Sequence, residues 1–211
     1  MGDNMESLEG GCVIVANGRF PSAELPLRLL KEAKTIIACE KGIHPDAIVG
    51  DLDSIPAGLR ERYADRIHHV EDQEINDLTK SVRFAHTQGY REVLILGATG
   101  LREDHTLGNI SLLMDYAHLF TQVEMLSDYG LFTPILKTTT FASYPGQQIS
   151  IFVLYPEGEI STEGLRWPIR RRKLTSWWQG TLNEALGDQF TVTLSPDCRV
   201  IIYREASHTK E

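Results

Sequence analysis

Four short stretches hold residue types whose spacing can do chemistry. In GDLDS (50–54) two carboxylates stand two positions apart directly after an apolar run. Extended backbone turns residues i and i+2 to one side, so Asp51 and Asp53 can converge. They would then offer the hard oxygen ligands that Mg²⁺ takes together with phosphate oxygens and water. The same letters also suit a solvated loop whose aspartates close Asx-turns. In DQEINDLTK (72–80) Asp77 and Lys80 share a helix face. Beside the first pair they read as a third carboxylate for a cation and a lysine for phosphate; alone, they read as a surface ion pair.

The third stretch is GATGLREDHTLGN (97–109). Gly97 and Gly100 permit close backbone approach, Arg102 is a planar fork donor, and Asp104, His105 and Asn109 add polar groups. A strand-to-helix turn of this kind suits phosphate, because helix N-termini attract anions; a purely structural connection is the other reading. The fourth is IRRRK (169–173), near Trp167, Trp177 and Trp178. One basic run on an acidic chain reads as a solvated loop rather than a nucleic-acid patch. The indoles suit core packing or a cationic ring. His68 and His69 are adjacent on a strand and face opposite ways, so they do not chelate.

Strand–helix alternation must position these loops. CVIVA (12–16), TIIAC (35–39), AIVG (47–50), RIHHV (66–70), EVLILG (92–97) and QVEML (122–126) read as strands, mostly of the continuous apolar kind buried in parallel sheets. Helices are expected over 26–33, 56–65, 73–89 with Asp72 as N-cap, and about 107–120 through Leu107, Ile110, Met114 and Ala117. After about Pro134 long helices vanish, and QISIFVLY (148–155), FTVTLS (190–195) and RVIIY (199–203) alternate as strands between turns. The expected fold is therefore α/β: a Rossmann-like, mostly parallel sheet domain over 1–134, then a smaller antiparallel β-sandwich over 135–211. Neither GxGxxG nor GxxxxGK[ST] occurs.

Composition narrows the class. The 211 residues are 42% hydrophobic and 24% charged, which excludes a disordered or collagen-like chain. A formal charge of −8 argues against general nucleic-acid binding. Cys12, Cys39 and Cys198 include no CxxC pair, so neither a disulfide framework nor a thiolate zinc site is expected, and a reducing compartment, the cytoplasm, is. No apolar run approaches the roughly 20 residues that span a bilayer, and MGDNMESLEG is unlike a signal peptide.

In order and placement, GDLDS, DQ-x-x-x-D-x-x-K and G-x-x-G-x-R-x-D-H-x-x-x-N resemble the thiamine pyrophosphokinase family. GLRWPI (164–169) and GTLNE (180–184) are similar to that family's signatures in its β-domain, and the resemblance covers roughly 35–204. It implies transfer of pyrophosphate from ATP to the hydroxyl of thiamine, giving thiamine diphosphate and AMP, with Mg²⁺, in a homodimer whose thiamine sites lie between subunits. By position, Asp51, Asp53 and Asp77 would hold Mg²⁺. Lys80, Gly97, Gly100, Arg102, Asp104, His105 and Asn109 would engage ATP, Lys80 and Arg102 sharing the catalysis with the aspartates. Gln73, Thr181 and Asn183 would meet thiamine, which makes the second domain the thiamine-binding and dimerisation domain.

The chain departs from the family's pattern twice. Where the family has D-G-G/A-x-N after the strand, Cys39 is followed by Glu40 and Lys41. This reads either as a shortened loop with Glu40 in the aspartate's place or as a stretch from which residues are missing. Leu182 stands where the family has serine. The rival readings are a nucleotide- or thiamine-binding protein without turnover, and a DxD metal-dependent nucleotidyl or glycosyl transferase.

Overall fold

Runs with almost no polar side chain become the interior of a parallel sheet. In the computed structural model, which describes residues 10–39, 44–53, 55–196 and 198–206, β1 (Cys12–Val15), β3 (Ala47–Gly50) and β5 (Glu92–Leu96) are buried along nearly their whole length. With β2 (Ile36–Ala38), β4 (Ile67–His69) and β6 (Gln122–Leu126) they form the order β6-β5-β1-β2-β3-β4, every adjacent pair parallel. Ile14 lies opposite Ile37 on one side and Ile95 on the other. The chain runs outward from β1 in both directions, which makes the β1/β5 boundary the topological switch point where open α/β sheets bind ligands. Glu40 lies outside the described residues.

Four helices connect these strands: α1 (Glu24–Glu32), α2 (Ala57–Arg62), α3 (Asp77–Thr87) and α4 (Glu103–Tyr116). Helices α3 and α4 open furthest from where the spacing predicts. Asp72 does not cap α3; its carboxylate accepts from the Glu74 amide at 2.9 Å in a local turn, and Asn76 caps the helix by accepting from the Thr79 amide. Helix α4 opens four residues early and draws Asp104 and His105 into its first turn. Its buried side chains are Leu113, Met114 and Tyr116, while Leu107 is exposed, because its first turns border a cleft instead of the sheet. The first turn of α1 is tied down from afar. Asp128 accepts from the Ser22 and Ala23 amides and from the Ser22 hydroxyl, and these bonds hold its carboxyl below the usual range against the opposing effect of burial.

The chain divides into two compact units between Asp128 and Tyr129. In the second, β7 (Gly130–Ile135), β9 (Gln148–Tyr155), β11 (Asn183–Glu184) and β13 (Arg199–Glu205) make an antiparallel sheet in the order β11-β9-β13-β7. A second antiparallel sheet has the order β10-β12-β8, from β8 (Thr139–Ala142), β10 (Ile160–Glu163) and β12 (Gln189–Leu194). Ile151, Val200 and Ile202 of one sheet share a core with Phe141, Phe190 and Val192 of the other, so the unit is a sandwich. The period-2 pattern of β9 predicts its inward face correctly: Ile149, Ile151 and Val153 are buried. Strands β7, β8, β10 and β11 escape the sequence reading because they are short, rich in threonine, or broken by Pro134.

Candidate active site

In the first unit, two loops leave the carboxyl ends of β1 and β5 and lock together by backbone hydrogen bonds. The Gly18 amide donates to the Gly97 carbonyl at 2.6 Å, and the Arg19 amide to the Thr99 carbonyl at 2.8 Å. A side chain at position 18 would overlap both carbonyl oxygens, and Gly97 needs its φ of 65° to turn there. Between these loops and the starts of α3 and α4 lies a cleft of about 340 Å³. Its walls include Asn17, Gly18, Asn76, Asp77, Arg102 and Asn109. Two of these walls are joined: the Asn76 amide donates to Asn109 Oδ1 at 3.3 Å, and the Asn109 amide donates to the Ala98 carbonyl at 2.9 Å. Asn17, Gly18 and Asn76 escaped the sequence reading; the Asn-Gly pair closing the first strand was the available signal.

Beside this cleft Lys80 gathers the carboxylates. Its Nζ lies 3.0 Å from Asp77 Oδ1 and 3.5 Å from Asp51 Oδ2, with only 2% of its side chain exposed. Burial pulls the lysine pKa down, but Asp77 and then Asp51 outweigh it and leave the value raised. Asp51 is held below the usual carboxylate range by the Asp53 amide first, against its own burial, with Lys80 and the Gln73 side chain adding to the effect. Gly50 makes room for this approach, since a Cβ there would sit 3.1 Å from Asp77 Oδ1.

Asp53 is placed differently from the extended-strand expectation. Leu52 adopts φ 67°, a left-handed conformation, so the backbone turns between the two aspartates instead of presenting them side by side. Two carboxylates thus converge at Lys80, and among the described residues no three acidic, histidine or cysteine side chains gather closely enough to hold a metal. A pair of oxygen ligands facing one point still has the chemistry Mg²⁺ accepts when phosphate and water complete the shell.

Arg102 is 71% exposed at the cleft rim and pairs with Asp104 at 2.5 Å. Arg102, followed by the His105 amide, lowers the Asp104 pKa to about 2. His105 and Asn109 line the cleft, Gly97 shapes one of its loops, and Gly100 turns at φ 87° against Arg19. Thr181 and Asn183 belong to the second unit, where they line another cleft of about 270 Å³. Asn183 is buried and largely committed: its Oδ1 accepts from the Trp167 and Glu184 amides, and its Nδ2 donates to the Trp167 carbonyl.

A parallel sheet with a polar, glycine-floored cleft at its switch point, flanked by a carboxylate–lysine cluster, defines the class of α/β proteins that bind a phosphorylated ligand at strand ends. The thiamin pyrophosphokinase catalytic domain matches over residues 27–125, and the substrate-binding domain of the same family over 130–203. The chain belongs to the thiamin pyrophosphokinase family. It is 29% identical over 174 residues to thiamine pyrophosphokinase 1 of Oryza sativa subsp. japonica, covering 74% of this chain and 64% of that protein. Thiamine pyrophosphokinase 1 of Arabidopsis thaliana is 29% identical over 168 residues, covering 72% of this chain and 61% of that protein. The chain thus spans a little under two thirds of these curated relatives. Thiamine pyrophosphokinase from Bacillus subtilis superposes with a TM-score of 0.76 at 19% identity, covering 94% of this chain and all of that one. The Candida albicans enzyme gives 0.77 at 17% identity, covering 94% and 90%. At these identities the structures share the fold.

Proposed function

We propose that the chain transfers the terminal diphosphate of ATP to the hydroxyl of thiamine, forming thiamine diphosphate and AMP. The observation that carries this reading is the convergence of Asp51 and Asp77 on Lys80 at the edge of a cleft whose other wall ends in Arg102. Attack of a primary hydroxyl on the β-phosphorus asks chiefly for positioning and neutralisation of phosphate charge. Asp51 and Asp77 would hold Mg²⁺, which supplies a hard positive centre for phosphate oxygens, with Asp53 beside them in the turn. Lys80 keeps the two carboxylates together, so its part is to set their geometry. Arg102 exchanges Asp104 for phosphate, Gly97 and Gly100 allow the backbone to approach, and His105 and Asn109 shape the nucleotide wall.

Gln73, which reaches Asp51, is the proposed contact for the acceptor near the reacting hydroxyl. We assign Thr181 and Asn183 to the acceptor side through a homodimer that binds thiamine where two copies meet. Exposed Trp178 and Leu182 on the second unit support that assembly. The cytoplasm is the proposed compartment, because Cys12, Cys39 and Cys198 are buried thiols. Among the described residues no helix is long and apolar enough to cross a membrane. The test is incubation with ATP, Mg²⁺ and thiamine, followed by chromatography for thiamine diphosphate and AMP; absence of both products would overturn the reading.

A further inference from the structure

We propose that Arg60 is a positioning residue for Asp51, acting through the peptide bond that joins Leu52 to Asp53. The inference rests on the metal reading of Asp51 above, and it brings helix α2, which lines neither of the two clefts described, into the account of the site. The Arg60 guanidinium donates through Nη2 to the Leu52 carbonyl, and the Ile55 amide donates to the same oxygen at 3.2 Å. The Asp53 amide donates to Asp51 Oδ1, also at 3.2 Å. That carbonyl and that amide are the two ends of one planar group. In a trans peptide the C=O and N–H point in opposite directions, and the plane turns as a unit; no cis peptide occurs among the described residues. Arg60 and Asp51 therefore grip the same plane from opposite sides. Turning it would break both bonds together.

The turn does not hold itself. Leu52 lies at φ 67°, left-handed backbone that a leucine keeps only where its surroundings enforce it. Its side chain supplies one constraint, buried with Ile48 and Tyr63 and packed against Ile55, Leu59 and Ile67. The charged donor on its carbonyl supplies the other. A hydrogen bond from a guanidinium is stronger than one from a neutral amide, and it polarises the peptide so that the Asp53 N–H donates better. Among the described residues Arg60 makes no ion pair, so no carboxylate competes for this donor. The result is a carboxylate fixed at both oxygens, Oδ1 by the Asp53 amide and Oδ2 by Lys80 at 3.5 Å. Removing a group that orients a metal-binding side chain from behind typically changes metal affinity by about 10- to 100-fold.

The test compares Arg60→Met, Arg60→Lys and Arg62→Met in the full chain. Arg62 is the control, on the same helix but with its guanidinium 5.5 Å from the centre of the Tyr63 ring. Amide hydrogen exchange by NMR reads the peptide without metal or nucleotide. In Arg60→Met the Asp53 amide should exchange about fivefold faster, the worth of one net hydrogen bond. The Glu74 amide, which donates to Asp72 in a similar local turn, should be unchanged. The Mg²⁺ concentration for half-maximal turnover should rise about tenfold, with the KM for thiamine unaltered. Arg60→Lys keeps a donor without the planar fork and should fall between Arg60→Met and the unaltered chain. Arg62→Met should match the unaltered chain in both readouts. An unaltered Asp53 amide in Arg60→Met, or equal acceleration at Asp53 and Glu74, would overturn the inference; the second result would make Arg60 a support of the whole fold. Faster exchange at Asp53 with an unshifted Mg²⁺ requirement would overturn it too, since the peptide would then not govern Asp51. Absence of thiamine diphosphate from every reaction contradicts the kinase reading, while the exchange comparison still decides whether Arg60 grips the peptide.

Discussion

Lys80 Nζ lies 3.0 Å from Oδ1 of Asp77, one turn back along the same helix, and the lysine is almost wholly buried while the aspartate borders the cleft of the first unit. An i,i+3 pair on a helix surface is worth a few tenths of a kcal/mol. Here burial and the second carboxylate, Asp51, convert it into the fastening between the end of β3 and the start of α3.

Removing the cation should therefore destabilise the fold. In Lys80→Met the two carboxylates face each other without compensation. Breaking a fully buried pair costs about 3–5 kcal/mol. Asp51 and Asp77 side chains are 26% and 34% exposed, so solvent screening reduces the expected loss to about 1–2 kcal/mol. Urea unfolding of the variant measures it, and an unchanged midpoint would count against the fastening.

The same cluster sets a pH profile. Asp51 titrates lower in the folded chain than its unfolded value of about 3.9. Its contribution is present above that value and is lost as pH falls through the folded pKa. Lys80 is raised, so its contribution holds below about 10.4 and is lost as pH climbs through the folded value. The melting temperature should be level between about pH 5 and 9 as far as this cluster is concerned, and should fall on both sides. Asp51→Asn should flatten the acid limb. A steeper acid limb in the variant would contradict the assignment.

Asn76 does two separable things: its Oδ1 caps α3 and its amide reaches Asn109. Asn76→Ala should cost about 1 kcal/mol through the lost cap. Asn76→Ser keeps a capping oxygen but loses the bridge, so stability should stay near wild type while ATP affinity falls about threefold to tenfold, the worth of one net hydrogen bond. Calorimetric titration with ATP checks this; a serine variant that binds like wild type would remove the bridge from the site.

Gly18 has no room for a methyl group, because the Gly97 and Thr99 carbonyls already accept from this loop. Gly18→Ala should cost about 1–3 kcal/mol by forcing the two loops apart. ATP binding should fall further than in Asn76→Ser. Normal affinity and stability together would show that the loops do not lock.

The parts legible in the sequence were those that rest on local pattern. EVLIL and AIVG announced buried parallel strands because no polar residue interrupts their apolar cores, and QISIFVLY announced a half-buried one by alternation. Asp51, Asp77 and Lys80 could be picked out because each follows a strand. Their mutual arrangement could not: the left-handed turn at Leu52 depends on the bonds that close around it, and no residue type at 52 signals it. Asp72 looked like the helix cap because its side chain is as suitable as that of Asn76, and only tertiary context chooses between them. The switch point was hidden for a different reason. It arises from β1 pairing with both β2 and β5, a choice made between segments about 80 residues apart.

Diphosphate transfer at the cleft bounded by Asp77 and Arg102 shows itself in the phosphorus balance of one reaction. The chain is incubated with ATP, Mg²⁺ and thiamine, and products are followed by phosphorus NMR. AMP and thiamine diphosphate should rise in a one-to-one ratio with no ADP, and both products should be lost in Asp77→Asn with the fold intact. ADP with thiamine monophosphate, or ATP bound but never consumed, would contradict it.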